Sequence, residues 1–205
     1  MIRLMYNLIL FLLTPLWAVY IAWRVLAGSW RERWWERLGF VAVPPPKGKR
    51  RIWVHCVSVG ETLAALPLLK AMRAALPNAE IVLTTTTPTG QRTAHDSARE
   101  WEDFIAYLPL AFPCAERRAQ SRIQPHLLAL FETELWLNLL AEQHRREGFT
   151  LVLNGRLSDR SFRRAQMVRP FYRQMLEWVD FVCAQSPLDA ARFVALGISP
   201  ARVEV

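Results

Sequence analysis

Carboxylates and small polar residues follow two apolar runs of the chain, and these residues are the best suited to catalysis. The first run, 51–57, leads into Ser58, Gly60 and Glu61. A Glu in the first turn of a helix is often only a favourable partner for the helix dipole, worth ~0.3–1 kcal/mol. In a dry cleft its pKa rises towards neutrality, and it can then act as a general base. Gly60 would leave room beside it for a substrate hydroxyl.

A second acidic turn, with Glu132 and Glu134, follows the apolar run 127–131. The two residues are two positions apart, so we expect one to face a cleft while the other begins a helix over 134–147 or meets an arginine. An ordinary acidic helix start is the alternative. Because ligands bind at the carboxyl ends of parallel strands, we expect this turn and Glu61 to lie at the same edge of a sheet and to form half of one catalytic site.

Two further turns carry groups that bind oxygen-rich or anionic ligands. Thr86 and Thr89 lie in the Thr-rich turn 84–90, where hydroxyls and backbone N–H groups can bind sugar hydroxyls or phosphate oxygens. The turn lacks the Lys-Ser/Thr ending of a P-loop, and helix capping explains most such clusters. Arg156 and Arg160 follow a later strand and could hold an anionic acceptor. A solvated loop is the alternative for both arginines.

These turns need a scaffold that brings strand ends together, and the pattern of residues 51–205 predicts one. Apolar runs of strand length alternate with amphipathic helical segments through short connections. Such alternation is typical of an α/β domain with a parallel sheet, right-handed crossovers and helices on both faces. Within it we expect one long helix at 161–178.

The N-terminal part of the chain predicts a membrane contact. Residues 4–23 carry no charge, and a helix of that length would span about 30 Å, the thickness of the hydrocarbon core. We predict a membrane anchor helix at 1–27, kinked by Pro15; a cleaved signal peptide is the competing interpretation. Segment 28–50 interleaves Trp with Arg and ends in a Pro-rich linker. Its positive flank favours a cytoplasmic location of the globular part.

Composition narrows the class of ligand. The net charge is +8, which suits phosphates on lipid headgroups or sugars. Zinc-finger spacing and an aromatic RNA-binding signature are both missing, so nucleic acid is disfavoured as a partner. With three dispersed Cys, no CxxC and no HExxH, we predict no metal site.

Taken together, the motifs SVGE, TTTTPTG, ETELW followed by an Asn, NGRLSDRS and AQSPLDAARFVALG resemble the Kdo transferases in order and spacing. These enzymes add 3-deoxy-D-manno-octulosonic acid (Kdo) to the lipid A precursor in lipopolysaccharide biosynthesis. The chain departs from the usual pattern at Leu137, where the family has Pro, and at Ala111, where it has Asp. The likeness runs along essentially the whole chain, and the pair SVGE and ETELW carries most of its specificity.

The resemblance implies the N-terminal, Rossmann-like domain of a GT-B glycosyltransferase at the cytoplasmic face of the inner membrane. It implies an inverting reaction with CMP-Kdo as donor and no cofactor or metal, in which Glu61 is the general base and Glu132 is also required. Ser58, Gly60, Thr86, Thr89, Arg156 and Arg160 would contact the acceptor. We expect the C-terminal donor domain to be absent, and the chain to be inactive alone. A non-catalytic anionic-lipid-binding protein and a transferase of another acidic sugar are the alternatives.

Overall fold

A computed structural model describes residues 2–28, 30, 32–46 and 48–205. Met1 of the predicted anchor, and Ser29, Arg31 and Lys47 of the predicted segment 28–50, lie outside the described residues. The strands follow the predicted alternation: β1 (Arg51–Cys56), β2 (Glu80–Thr85), β3 (Phe104–Tyr107), β4 (Leu127–Phe131), β5 (Phe149–Gly155), β6 (Phe181–Ala184) and β7 (Val203–Glu204).

Helices precede and connect these strands. They are α1 (Ile2–Leu12), α2 (Thr14–Leu26), α3 (Val59–Ala75), α4 (Pro88–Ser97), α5 (Pro113–Ile123), α6 (Leu137–Arg145), α7 (Asp159–Met167), α8 (Arg169–Glu177) and α9 (Pro187–Leu196), with short 3₁₀ turns at Trp34–Leu38 and Pro200–Arg202. The long helix predicted at 161–178 is wrong. Val168 separates α7 from α8, and Pro170 stands in the first turn of α8, where a missing N–H is tolerated.

The described strands form one parallel sheet in the order β3-β2-β1-β4-β5-β6-β7. Strand order reverses between β1 and β4, which pair directly, with Val54 opposite Ala129. In sheets wound in this way, the crevice at the carboxyl ends of the strands beside the reversal is the usual ligand site. The predicted acidic turns follow these two strands.

Both faces of the sheet are covered, as the alternation predicts. Helices α3 and α4 pack on one face through Ala65, Leu69 and Ala94. Helices α5, α6, α8 and α9 cover the other face, where Trp53 and Phe193 are fully buried. The central strands are buried on both sides, so their ends are held rigidly relative to one another.

The N-terminal apolar run folds as two helices that meet beside Pro15, where the sequence predicts a kink. The chain breaks at Leu13, and α1 and α2 meet at an angle of 58°. Pro15, in the first turn of α2, accounts for the break because it cannot continue a helix that precedes it. Among the described residues no single helix has the length and hydropathy to cross a bilayer; the bent pair together does, as a broken span or a re-entrant segment.

Candidate active site

The corner between β1 and α3 holds Glu61 in a capping box. Ser58 precedes the helix in an extended conformation, and its Oγ accepts a hydrogen bond from the Glu61 N–H (3.4 Å). In return, Glu61 Oε1 accepts from the Ser58 hydroxyl (2.9 Å), and Oε2 accepts from the Val57 N–H (2.8 Å). This reciprocal arrangement satisfies donors that a helix start leaves free. A carboxylate keeps further lone pairs, so Glu61 can still accept a proton from a ligand.

Gly60, which precedes Glu61, borders open space. It is exposed, a Cβ added there would meet nothing within 4 Å, and its φ lies outside the left-handed region. The structure therefore leaves room for a ligand in front of α3, while neither space nor backbone conformation requires glycine at this position.

The corner after β4 differs from the predicted helix start at Glu134. Glu132 adopts a left-handed backbone conformation (φ 57°), and its N–H donates to the Leu153 carbonyl (2.8 Å). The Leu135 N–H then donates to the Thr133 carbonyl (2.8 Å), which closes a tight turn. Helix α6 begins only at Leu137, so Glu134 is not part of a helix. A non-glycine residue in the left-handed region is strained, and such strain tends to occur at functional sites.

These turns bring three carboxylates into one electrostatic group. Burial and the charge of Glu61 raise the pKa of Glu134 to about 7. The same two causes raise the pKa of Glu132, while Arg156 opposes the shift. The charge of Glu61 therefore raises the pKa of both acids after β4, and the upward shift is larger for Glu134. Sequence reasoning singled out Glu132 and left Glu134 to a structural role, because the influence of Glu61 on both acids depends on the tertiary fold and has no sequence signal.

The Thr-rich turn supports the Glu61 corner. The N–H groups of Thr86 and Thr87 both donate to the Val57 carbonyl (3.4 and 3.3 Å), and the Thr87 hydroxyl caps α4. Thr89 is exposed in the first turn of α4, and its hydroxyl lies 3.3 Å from that of Thr87. Part of this turn thus serves as a helix cap, which was the alternative to ligand binding. Thr89 is nevertheless exposed and accessible to a ligand.

The two predicted arginines lie directly after β5 and in the first turn of α7. Arg156 is exposed, and the Thr133 hydroxyl donates to its carbonyl, which ties its loop to the turn after β4. Arg160 is exposed in the first turn of α7. Arg156 influences Glu132, whereas no described contact joins Arg160 to the carboxylates. In the described part of the chain no group of three or more His, Cys, Asp or Glu residues is arranged to hold a metal.

Asn138 is a residue that sequence reasoning missed. It is 1% exposed; its Nδ2 donates to Asn7 Oδ1 and to the Ala111 carbonyl (2.8 Å each), and its Oδ1 accepts from Arg3 Nε (3.2 Å). One amide thereby holds α1, α6 and the loop after β3 together. Its position two residues after ETELW was the available signal.

Comparison with known proteins decides the family. Residues 32–205 match the family model described as 3-Deoxy-D-manno-octulosonic-acid transferase (kdotransferase). The chain belongs to this Kdo transferase family. The resemblance drawn from the motifs is confirmed, and the match contains every predicted site residue.

Individual family members support this membership. A 3-deoxy-D-manno-octulosonic acid transferase of Haemophilus influenzae is 33% identical over 211 residues, covering 99% of this chain and 48% of the relative. One of Chlamydophila psittaci is 30% identical over 182 residues, covering 89% and 42%. The chain thus spans about half the length of these curated Kdo transferases and corresponds to their N-terminal half.

Solved structures confirm the fold class. A UDP-N-acetylglucosamine 2-epimerase superimposes with a TM-score of 0.56 at 10% sequence identity, covering 77% of this chain and 48% of the epimerase. At that identity the likeness concerns the fold alone. It confirms the α/β architecture with a parallel sheet that the alternation predicts.

Proposed function

We propose that this chain is the acceptor half of an enzyme that transfers Kdo from CMP-Kdo to the lipid A precursor in lipopolysaccharide biosynthesis. One observation carries the proposal: in a member of the Kdo transferase family, Glu61, Glu132 and Glu134 form one electrostatic group beside the point where strand order reverses. That position is the ligand crevice of such sheets. A second, donor-binding domain of a GT-B enzyme would complete the site.

Glu61 acts as the general base in this proposal. An acceptor hydroxyl attacks the anomeric carbon of Kdo from the face opposite CMP, its proton passes to Glu61, and CMP leaves with the electrons of the broken bond. Inversion follows from a single displacement. Glu132 and Glu134 keep the surroundings of Glu61 negative, which favours proton transfer to the base. The chemistry needs no cofactor or metal.

The acceptor would be held by groups around this edge. Ser58 and Gly60 border the base, and Thr89 is exposed on the neighbouring turn. Arg156 and Arg160 are exposed cations that suit a phosphorylated sugar, because a guanidinium binds phosphate with two parallel hydrogen bonds. Thr86 differs from these residues: its Oγ1 is buried and has no partner among the described residues.

The N-terminal helices would hold the enzyme at the cytoplasmic face of the inner membrane. Large apolar side chains of this pair are exposed, including Phe11 (73%), Val19 (70%) and Leu26 (87%). Contiguous exposed apolar surface of this kind marks a membrane or protein contact. In the segment 28–50, Trp34 and Trp35 are also exposed, and Trp side chains favour the headgroup level. The domain boundaries 1–27, 28–50 and 51–205 follow from this division.

A fusion enzyme tests the function. The chain would be joined to the part of the Haemophilus influenzae relative that lies beyond the match, and release of CMP from CMP-Kdo would be measured with a lipid A precursor in detergent. We expect transfer by the fusion and none by either half alone. A folded fusion that binds anionic vesicles but transfers nothing would favour the non-catalytic lipid-binding alternative. Use of another acidic sugar donor instead of CMP-Kdo would favour the third interpretation.

A further inference from the structure

An apolar cavity of about 610 Å³ separates the N-terminal helices from the C-terminal edge of the sheet. Tyr6, Leu10 and Trp17 form one wall, and the loop 108–112 after β3 forms another. The volume lies within the ~300–1,000 Å³ range of cavities that hold small-molecule ligands. Its mostly apolar walls favour an apolar occupant over water, because water there would find few hydrogen-bond partners.

One cation is buried in the wall of this cavity. Arg37 is 3% exposed, its Nη2 donates to the Thr86 carbonyl (2.8 Å), and its guanidinium lies 4.1 and 4.2 Å from the ring centroids of Trp30 and Tyr107. Within the described part of the chain, no carboxylate forms an ion pair with Arg37, although the Tyr107 side chain also hydrogen-bonds to it and the charge of Glu36 acts on it. Its Nε is buried and has no acceptor among the described residues. A buried N–H donor without an acceptor is costly, so an occupant with a polar oxygen beside an apolar body would suit this wall.

The cavity shares walls with the acidic edge. Thr86 lines it with a buried hydroxyl that lacks a partner among the described residues, and the Thr86 N–H donates to the Val57 carbonyl next to Ser58. Trp136 also lines it two residues after Glu134, and its indole N–H is buried without an acceptor among the described residues. A molecule bound in the cavity would therefore extend towards the carboxylates.

We propose that the cavity binds one acyl chain of the lipid acceptor, with an ester, amide or phosphate oxygen of that lipid facing Arg37 and Thr86. The identity of the lipid rests on the proposed function. An acceptor fits better than a bulk bilayer lipid because its sugar must reach Glu61 from the same side, and the cavity adjoins that edge. The exposed outer side of α1 and α2 would contact the membrane from which the acyl chain enters the cavity.

Photocrosslinking locates the acyl chain directly. The 205-residue chain in detergent micelles would be irradiated with a lipid A precursor that carries a diazirine in one acyl chain, and the adducts mapped by mass spectrometry. We expect adducts on the loop 108–112 and on Trp136. Adducts confined to outer positions such as Phe11 and Leu26 would overturn the proposal. So would equal labelling of the loop by a phosphatidylglycerol with the same diazirine chain.

Two matched substitutions test the site: one fills the cavity, and the other makes the same change outside it. Ala111→Phe adds a ring at a lining position, whereas Ala22→Phe makes the same change at an exposed position of α2 outside the lining. We expect Ala111→Phe to lower crosslinking at Trp136 roughly tenfold or more, since a few methylene groups in an apolar site are worth that much. Ala22→Phe should leave the yield unchanged. Equal loss in both variants, or in neither, would contradict the assignment.

Kinetics of the fusion separate this inference from the proposed function. Ala111→Phe should lower kcat/KM for the acylated acceptor about tenfold and leave a deacylated, sugar-only acceptor unaffected. Equal loss for both acceptors would overturn the acyl-chain site. If the unsubstituted fusion transfers Kdo to neither acceptor, the proposed function fails, and the crosslinking map alone still decides whether the cavity holds an acyl chain.

Discussion

Two corners of the sheet have the same local design and different surroundings. At the β1–α3 corner Ser58 caps the helix, and Glu61 three residues later accepts from the Ser58 hydroxyl. At the β6–α9 corner Ser186 caps the helix, and Asp189 three residues later accepts from the Ser186 hydroxyl. Both acids also accept a backbone N–H with a donor–acceptor distance of 2.8 Å. Local sequence produces the same capping box twice.

The second backbone bond distinguishes the two acids. Glu61 accepts from Val57, four residues away, so all of its described hydrogen bonds lie within its own corner. Asp189 accepts from the N–H of Leu157, 32 residues away, and is 7% exposed. It therefore ties α9 to the loop after β5, and Arg192 on the next turn binds the Leu157 carbonyl. Asp189 is a structural tie, whereas Glu61 is held only locally.

The charged neighbours of Glu61 and Asp189 also differ. Glu61 stands among carboxylates, as the raised pKa values of Glu132 and Glu134 indicate. Near Asp189, Arg192 on the same helix pairs with Asp159 and donates to the carbonyl of Leu157, the residue whose N–H donates to Asp189. The acidic surroundings of one capping box and the backbone ties of the other indicate that a capping box alone does not make a catalytic group. The residues that the tertiary structure places nearby decide whether the capped acid can act in catalysis.

The largest expected effect is the loss of transfer in Glu61→Gln. Glutamine keeps an acceptor oxygen for the cap but cannot act as a base, so the fusion enzyme should lose about 10²–10⁴-fold in kcat. Loss of the repulsion with Glu132 and Glu134 offsets the weaker cap, so its melting temperature should change less than that of a capping acid without acidic neighbours. Steady-state CMP release measures the loss in kcat, and thermal unfolding measures the melting temperature.

Asp189→Asn is the matched control for that change. It also replaces a capping carboxylate by an amide and weakens hydrogen bonds to a charged group, which costs about 1–2 kcal/mol of unfolding free energy. Transfer should be retained at a temperature where the variant stays folded. Comparable loss of transfer in both variants would mean that Glu61 acts as a cap and not as a base.

The strained turn gives the second prediction. Glu132→Gly removes a carboxylate from the acidic group and relieves a left-handed conformation, so transfer should fall at least tenfold while stability rises by about 1 kcal/mol. Glu147→Gly is its control, since Glu147 has the same backbone conformation (φ 58°) at the exposed end of α6. It should gain similar stability and keep transfer. Denaturant unfolding and the transfer assay measure both; a destabilised Glu132→Gly would show that the turn is not strained.

The smallest expected effect concerns pH and Glu134. Its pKa is raised to about 7, so the folded state favours the protonated acid, and this contribution to stability is lost as the pH rises from about 4.5 through 7. Glu134→Gln should therefore be more stable than the parent by about 1 kcal/mol at pH 8, with the difference vanishing near pH 4.5. Urea unfolding between pH 4.5 and 8 measures it.

Glu102 offers the control, because burial and Asp103 raise its pKa to about 7 as well, and it precedes β3, away from the carboxyl ends. Glu102→Gln should show the same pH-dependent gain in stability and an unchanged pH profile of transfer. Glu134→Gln should alter that profile. If the two variants have the same profile, Glu134 does not belong to the catalytic group.

Residue patterns predicted much of the fold correctly. The strand at Leu127–Phe131 and the helices Pro113–Ile123 and Pro187–Leu196 have the predicted bounds, because apolar period, Pro at the helix start and caps all agree there. The N-terminal apolar run bends beside Pro15, as that residue predicts, and its role as a membrane anchor stays a prediction. The helix start at Glu134 was wrong because the turn at Glu132 depends on a backbone conformation that its residue type does not favour.

The sequence by itself determined the alternating elements, the capping boxes at Ser58 and Ser186, and the family through its motifs, since each depends on residues close together along the chain. Only the tertiary structure decided that the charge of Glu61 acts on Glu132 and Glu134, that Asp189 ties α9 to the loop after β5, and that Arg37 is buried in the wall of an apolar cavity. Those features join segments dozens of residues apart. Burial and charge act through space, so the same local pattern yields a cap at one corner and a candidate base at the other.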